Sequence, residues 1–477
     1  MAVQTNITDV AIIGGGPGGY AAAFLAADLG MDVTLIDPNP NPGGVCLYQG
    51  CIPSKTLLNA SRLIHEASEA DKWGVTFSKP KIDVGRLRAW KNDVVQNLTE
   101  GLGRLTAQRK VRYIRGRAEF AGDDTLTIQA VDGDFSSLAF KNAIIATGSY
   151  PARIPGLPEK SRLILDSSGA LELDDIPKSL LVIGGGYIGL ELGTVYATLG
   201  SKVTVAEITS GLMPGADRDL VTILRKRLEN LFEKIALNTE AKNFNLQKNG
   251  VKVLLKGPED TSESRLFSKV LVAVGRRPFS QGLGLEKAGI AVDEKGFITV
   301  DSQCRTTASN IFAIGDVVGE PMLAHKASHQ GRLAIEVIGG SKGVFEPAAI
   351  PAVVFTDPEV AWAGMTEQIA RASGVNFKTV RFPWAASGRA TAIGRTDGLT
   401  KLIIESGTER ILGVAMVGAG AGEMIAEGVL AIEMGANATD LKMSIHPHPT
   451  LTETVMEAAE LFYGTATHFY RPQRKKK

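Results

Sequence analysis

Two glycine loops set at the same internal spacing constrain the fold of this chain more than any other feature. The first unit reads Val10-Ala11-Ile12-Ile13, then Gly14-Gly15-Gly16-Pro17-Gly18-Gly19, then an apolar helix-like stretch over 20–29. A strand-like run over 33–36 follows and ends at Asp37. The second unit reads Leu180-Leu181-Val182-Ile183, then Gly184-Gly185-Gly186-Tyr187-Ile188-Gly189, then a helix-like stretch over 190–199. Its second strand, Val203-Thr204-Val205-Ala206, ends at Glu207, so the acid follows the first glycine at the same interval in both units. In such a loop Gly14 and Gly184 make the tight turn, and Gly16 and Gly186 let the backbone approach a pyrophosphate. Gly19 and Gly189 let the helix pack close to the strand while its first N–H groups face phosphate. The acid is placed to accept hydrogen bonds from ribose hydroxyls. A single G-x-G-x-x-G is weak evidence. Two in register with strand, helix and acid predict parallel sheets with right-handed crossovers, an α/β chain with two Rossmann-like dinucleotide-binding domains.

Charge discriminates between the possible nucleotides. A carboxylate at Glu207 repels a 2′-phosphate, and no basic residue follows it before Arg218, so the second unit favours NAD over NADP. Asp37 suits the ribose of either NAD or FAD. Two further apolar runs end in glycine, Ala143-Ile144-Ile145-Ala146-Thr147-Gly148 and Ile311-Phe312-Ala313-Ile314-Gly315-Asp316. Asp316 is either a turn aspartate or a ligand for a polyol, and the neighbouring dinucleotide loops favour the ligand.

The chain has 477 residues, too many for one core, and suggests about three domains. Its 52 basic and 51 acidic side chains leave no net field to attract nucleic acid or an anionic membrane. The Arg474-Lys475-Lys476-Lys477 run reads as a solvated tail. No basic-then-apolar leader precedes the strand-like run from Asp9, and no stretch reaches the roughly 20 apolar residues of a membrane span. The expectation is a soluble protein of a reducing compartment, bacterial cytoplasm or a processed organellar form.

Three cysteines are too few for a disulfide scaffold. Cys304 stands alone in a strand-like stretch over 297–304 and reads as a small buried residue. Cys46 and Cys51 lie in Gly43-Gly44-Val45-Cys46-Leu47-Tyr48-Gln49-Gly50-Cys51-Ile52-Pro53-Ser54-Lys55. A regular helix would hold two such positions beyond the roughly 7 Å Cα limit for a bridge, and the glycines and Pro53 offer the bent backbone that a bridge requires. A helix-like run over 57–64 predicts a helix starting near the cysteines, whose dipole would favour a thiolate. Two structural cysteines are the alternative reading. A metal site lacks further ligands. His325 and His329 share an i, i+4 spacing but have no third ligand, so no metal is expected there either. His446 and His448, both flanked by proline, are equal candidates for a titrating base from their sequence context.

The G-G-x-C-x-x-x-x-G-C-x-P-S-K segment resembles the redox site of the pyridine nucleotide-disulfide oxidoreductases, particularly their lipoyl-linked members. The similarity extends over both glycine loops, Ala313 to Asp316, Met322-Leu323-Ala324-His325-Lys326, and His446-Pro447-His448-Pro449-Thr450-Leu451-Thr452-Glu453. It implies one non-covalent FAD per subunit on Gly14, Gly16, Gly19 and Asp37, with Gly116, Thr147, Gly148, Asp316 and Ala324 along the flavin nucleotide. NAD would then lie on Gly184, Gly186, Gly189, Glu207 and Gly275, and Lys55 would pair with Glu191 near the flavin.

By the same resemblance Cys46 and Cys51 form the redox disulfide, and His448, oriented by Glu453, is the general base acting across a homodimer. The implied reaction has a dihydrolipoyl thiolate attack Cys46, while Cys51 hands electrons to FAD, which reduces NAD+. The implied partners are a second copy of the chain and the lipoyl domains of 2-oxo acid dehydrogenase complexes or the glycine cleavage carrier protein. The chain departs from the commonest pattern at Leu47-Tyr48-Gln49 and at Pro447, which bears on potential and pocket shape rather than reaction class. Residues 1–149 are expected to carry FAD and 150–278 NAD. Residues 279–350 should return to the FAD side, and 351–477 should form a mixed α/β dimerisation domain. A glutathione-type or trypanothione-type reductase would want NADPH, against Glu207. A mercuric reductase would need a C-terminal cysteine pair that the sequence lacks, and a soluble transhydrogenase or single-cysteine oxidase would lack one of Cys46 and Cys51. A non-catalytic flavoprotein docking subunit would not need the intact cysteine, base and lysine set.

Overall fold

The computed structural model describes residues 6–158, 161–259 and 261–470; the basic run at 474–477 lies outside them. The first glycine unit forms the expected strand, helix and strand: Asn6–Ile13, α1 (Pro17–Asp28) and Val33–Asp37. The two strands pair in parallel, Val10 against Val33 and Ile13 against Ile36. Parallel partners then extend the sheet to Arg112–Phe120 on one side and to Phe135–Ile145 and Ile311–Ala313 on the other. Strand Thr125–Ala130 joins Arg112–Phe120 to Phe135–Ile145 as an antiparallel meander beyond the parallel part. The run from Val10 to Ile13 is apolar at every position because both sheet faces are covered. Val10 and Ile12 pack towards α1, while Ala11 and Ile13 pack towards Phe120, Ile128 and Leu283. The cysteine segment follows as α2 (Gly44–Gln49) and α3 (Cys51–Glu69), packed on α4 (Val84–Gln108).

The second unit repeats the arrangement with Ser179–Ile183, α5 (Tyr187–Leu199) and Lys202–Ala206, again parallel. Lys234–Ala236, Lys269–Val272 and Ile164–Leu165 complete a five-stranded parallel sheet. α5 and α6 (Arg218–Leu231) contribute Leu190, Val195, Leu224 and Leu228 to the core on one face. A three-stranded antiparallel sheet, Glu240–Gln247, Gly250–Lys256 and Ser262–Phe267, packs on the other. The chain then returns to the first sheet through Ile311–Ala313 and α7 (Ala324–Ile338), which lies against α1.

The expected strand over 297–304 does not form. Ile298 makes only an isolated bridge to Val292, and Cys304 has a φ of 62°, which no strand residue adopts. Asp301 explains the departure, because its Oδ1 accepts from the Gln303 and Arg305 N–H groups and closes a turn around Cys304. Cys304 is nonetheless buried, as expected, and burial pushes its thiol up to about 12.

The last unit is antiparallel throughout, with strand order Ala352–Val354, Glu359–Gly364, Ile411–Gly418, Leu399–Glu405 and Phe377–Pro383. α8 (Ala421–Glu433) and α9 (Glu453–Tyr463) pack on it around Trp384, Leu402 and Val455. An ionic cluster fastens this unit to α6. Lys401, fully buried, reaches Asp217 Oδ2 at 2.6 Å, Asp219 Oδ1 at 2.7 Å and Glu367 Oε1 at 3.3 Å. Arg381 reaches Asp219 at 2.6 Å and also pairs with Glu367. The three carboxylates are close enough to hold a metal ion, but the lysine ammonium already stands among them. Burial alone would raise the Asp219 pKa; hydrogen bonds from Lys401 and Arg381 hold it below the usual range. Its stabilising contribution is therefore complete above about pH 4 and is lost as pH falls through the lowered folded value. Lys401→Met strands the carboxylates and is expected to cost about 3–5 kcal/mol, read as a lower urea midpoint at pH 7. Among the described residues no helix is long and apolar enough to cross a membrane.

Candidate active site

The two glycine loops have nearly the same backbone. Gly14 and Gly184 sit at φ 107° and 108°, and a Cβ on either would lie 2.3 Å from the carbonyl oxygen of Ala146 or Ala273. A Cβ on Gly19 or Gly189 would lie 1.9 or 2.2 Å from the first glycine's own carbonyl oxygen, so each helix can start only over a bare position. Gly16 and Gly186 are different. A Cβ on Gly16 would meet only the Gly44 Cα, at 3.9 Å, and one on Gly186 would meet nothing within 4 Å. These two residues cap α1 and α5 without any side-chain acceptor, which leaves helix N–H groups for an anion.

The acids also brace their loops. Asp37 Oδ2 accepts from Gly15 N at 2.7 Å and Glu207 Oε2 from Gly185 N at 2.6 Å. Their other oxygens accept from Asn39 and Thr209, partners that sequence reading did not single out.

A cavity of about 520 Å3 runs from the first loop to the cysteines. It brings together Gly14, Gly16 and Asp37 with Gly116, Thr147, Gly148, Asp316 and Ala324, and with Cys46, Cys51, Lys55 and Glu191. Gly19 stays behind the loop as a packing position. Gly116 owes its bareness to the sheet, since a Cβ there would lie 2.6 Å from the Gln129 carbonyl oxygen. Asp316 is held by Ser149 Oγ, which in turn accepts from Arg276 Nε at 2.7 Å; neither residue stood out in the sequence. Gly184, Gly186, Gly189, Glu207 and Gly275 do not line this cavity. Their unit contributes its wall through Tyr187, Ile188 and Glu191 on α5 and through Arg276.

Cys46 lies inside α2 and Cys51 is the first residue of α3, separated by a break at Gly50 with φ −142° and ψ −113°. The break turns what would be one continuous helix into two and folds the thiols toward each other. Both are free thiols here and share a hydrogen bond. That bond, helped by the Lys55 ammonium, outweighs burial and lowers Cys51 to about 7, while Cys46 is pushed up correspondingly. Of the two thiols, Cys51 is therefore the first to lose its proton, and it is the residue that opens a helix.

Lys55 Nζ meets Glu191 Oε2 at 2.8 Å and stands 4.7 Å from the centre of the Phe355 ring. Glu191 is almost fully buried and is satisfied by three donors: Lys55, Ser54 Oγ at 3.1 Å and the Phe355 N–H at 2.9 Å. Ser54 and Phe355 were not identifiable from sequence, because each acts through a contact across more than 130 positions.

The structure separates the two histidines. His446 has both ring nitrogens engaged, Nε2 with Glu427 at 2.7 Å and Nδ1 with the Ser444 carbonyl at 2.9 Å. His448 Nδ1 pairs with Glu453 Oε1 at 2.9 Å, and its ring is 70% exposed with no partner for Nε2 among the described residues. Burial would raise the Glu453 carboxyl, but the Thr450 N–H at 2.7 Å and His448 hold it below its ordinary value. This dyad is not among the residues lining the cavity of its own chain. His448 faces solvent, and the preceding residues Met443 and Ile445 are 71% and 98% exposed. His325 bonds the Pro351 carbonyl at 2.8 Å, and no grouping of possible metal ligands among the described residues includes it or His329.

Residues 8–331 match the sequence profile of the pyridine nucleotide-disulphide oxidoreductases, and residues 350–459 match the dimerisation domain of that family. The dihydrolipoyl dehydrogenase of Vibrio cholerae is 46% identical over 468 residues, spanning 98% of each chain. That of Geobacillus stearothermophilus is 45% identical over 462 residues, spanning 97% of each. Among solved structures, LpdA from Mycobacterium tuberculosis superposes with a TM-score of 0.88 at 28% identity, covering 95% of this chain and 99% of its own. The HOCl-induced flavoprotein disulfide reductase RclA from Escherichia coli gives 0.84 at 31% identity, covering 95% of this chain and 99% of its own.

Proposed function

The chain belongs to the pyridine nucleotide-disulphide oxidoreductase family, dimerisation domain included, and on that premise we propose that it oxidises dihydrolipoyl groups with NAD+ through Cys46 and Cys51. One observation carries the reading: the two thiols meet across the Gly50 break in the same cavity that the first glycine loop enters. FAD and NAD(H) are the cofactors of the family. The first loop fits FAD, since Gly16 leaves room for a pyrophosphate at the start of α1 and Asp316 stands along the same cavity. Bound FAD supplies a two-electron acceptor between the thiols and NAD+.

In the proposed chemistry His448 of one chain takes the proton of a substrate thiol, and Glu453 supports the resulting imidazolium. The substrate thiolate attacks Cys46 Sγ, the Cys46–Cys51 bond breaks, and Cys51 leaves as the thiolate favoured by Lys55 and the start of α3. The second substrate thiol then gives up its proton and attacks the mixed disulfide at the substrate sulfur, and Cys46 Sγ leaves and takes up that proton. Oxidised lipoyl disulfide departs and two electrons remain on the cysteine pair. The outward-facing His448 supports a base that serves the cavity of a second copy. We assign residues 1–149 and 279–350 to the FAD side, 150–278 to NAD and 351–477 to the dimer interface. The physiological substrates are the lipoyl domains of a 2-oxo acid dehydrogenase complex or of glycine cleavage, in the bacterial cytoplasm.

Glu207, buried and fixed to Gly185 N, supports NAD over NADP. One steady-state comparison tests the reading. NADH is expected to outperform NADPH by about 100-fold in kcat/KM, roughly 2.7 kcal/mol of charge repulsion. Lipoamide is expected to be reduced and glutathione disulfide not. A preference for NADPH with glutathione disulfide would replace the reading with that of a glutathione-type reductase.

A further inference from the structure

Behind the Lys55–Glu191 pair lies a second cavity of about 420 Å3, which Lys55 and Phe355 also line. Its far wall holds Asp357, met by cationic or titratable groups from three separate parts of the fold. Arg395 donates to Oδ1; Arg227 on α6 lies 3.7 Å from Oδ2, and His65 on α3 lies 3.9 Å from it. Oδ2 is buried and receives no hydrogen bond among the described residues, so it is held by charge alone. Burial, aided by Arg227, keeps the His65 pKa below the ordinary imidazole value, so near neutral pH the two arginines are the cations paired with this carboxylate.

Two positions upstream, the same segment reaches the other side of the wall. The Phe355 N–H donates to Glu191 Oε1, and its ring lies beneath the Lys55 ammonium. α3 carries Cys51, Lys55 and His65 on one rigid element, and α5 carries Glu191. The strap 355–357 is therefore bonded at one end to the pair beside the thiols and pinned at the other to α3, α6 and Arg395.

We propose that Asp357 is a positioning residue for the thiol chemistry. By anchoring the strap it keeps the Phe355 N–H on Glu191, and through Glu191 it keeps the Lys55 ammonium next to Cys51. This rests on the proposed function, in that it takes the Lys55–Glu191 pair to lie beside the flavin.

Asp357→Asn, nearly isosteric, removes the charge that the two arginines hold. The holoenzyme is expected to keep its FAD while kcat falls about tenfold and the KM for dihydrolipoamide stays within about twofold. The long-wavelength absorbance that a Cys51 thiolate gives on partial reduction should weaken in parallel. Combined with Glu191→Gln, the substitution should add no further loss, because both act through one contact. Losses that multiply in the double variant, or an undiminished long-wavelength band in Asp357→Asn, would overturn the inference. An undiminished band in Glu191→Gln alone would overturn the flavin-side placement of the pair, and this inference with it. Should Asp357→Asn not fold, Arg395→Lys, which keeps the charge and loses the planar fork, is read against the same outcomes.

Discussion

Cys51→Ser is expected to lower dihydrolipoamide–NAD+ turnover by about 10^3-fold or more while leaving a yellow, FAD-bearing protein, on the scale seen when an essential nucleophile is removed. Serine at the first position of α3 preserves the Gly50 break and the packing of α2 on α3, so the loss falls on chemistry and not on folding. Without Cys51 no bond exists for the substrate thiolate to break when it attacks Cys46. Cys46→Ser should be as inactive but spectrally distinct. It replaces the Cys46 thiol with a hydroxyl that can still donate to Cys51 and leaves Lys55 as the neighbouring cation, so a thiolate band at long wavelength should persist without any reductant. In Cys51→Ser that band should be absent. Steady-state rates with absorption spectra of the two variants check both statements.

His448→Gln is expected to cost about 10^2- to 10^4-fold in kcat/KM for dihydrolipoamide, the usual range for a positioned proton acceptor. Glu453→Gln should cost less, because the imidazole survives and only its orientation and cationic form lose support. The exposed His448 Nε2, outside the cavity of its own chain, gives this prediction a sharper form. When Cys51→Ser and His448→Gln chains are refolded together, each hybrid dimer has one site with both defects and one with neither. About half of wild-type activity per hybrid is expected. Hybrids as inactive as their parents would place the base and the thiols on one chain.

Much of this site was legible in the sequence because its constraints are local. The tight turns at Gly14 and Gly184, the bare positions at Gly19 and Gly189 and the acids at the strand ends are each fixed within one strand–turn–helix unit. The cysteine segment was legible for the same reason, as Gly50 lies where a continuous helix would have kept the thiols apart. His446 and His448 were not separable, since their difference lies in Glu427 taking up the first and solvent facing the second. The strand expected over 297–304 failed because the local turn chemistry of Asp301 outweighed the apolar content of the run. Ser149, Arg276, Phe355 and Asp357 went unnoticed because their roles arise only when segments far apart in the chain meet.

The proposed function requires Cys46 and Cys51 to cycle between disulfide and dithiol. Thiols are counted in the denatured protein before and after one equivalent of dihydrolipoamide under anaerobic conditions. Of three cysteines, one free thiol, Cys304, is predicted in the oxidised enzyme and all three after reduction, with the two new alkylation masses on Cys46 and Cys51. Three free thiols before the reductant is added, or one new mass on Cys304, would contradict it.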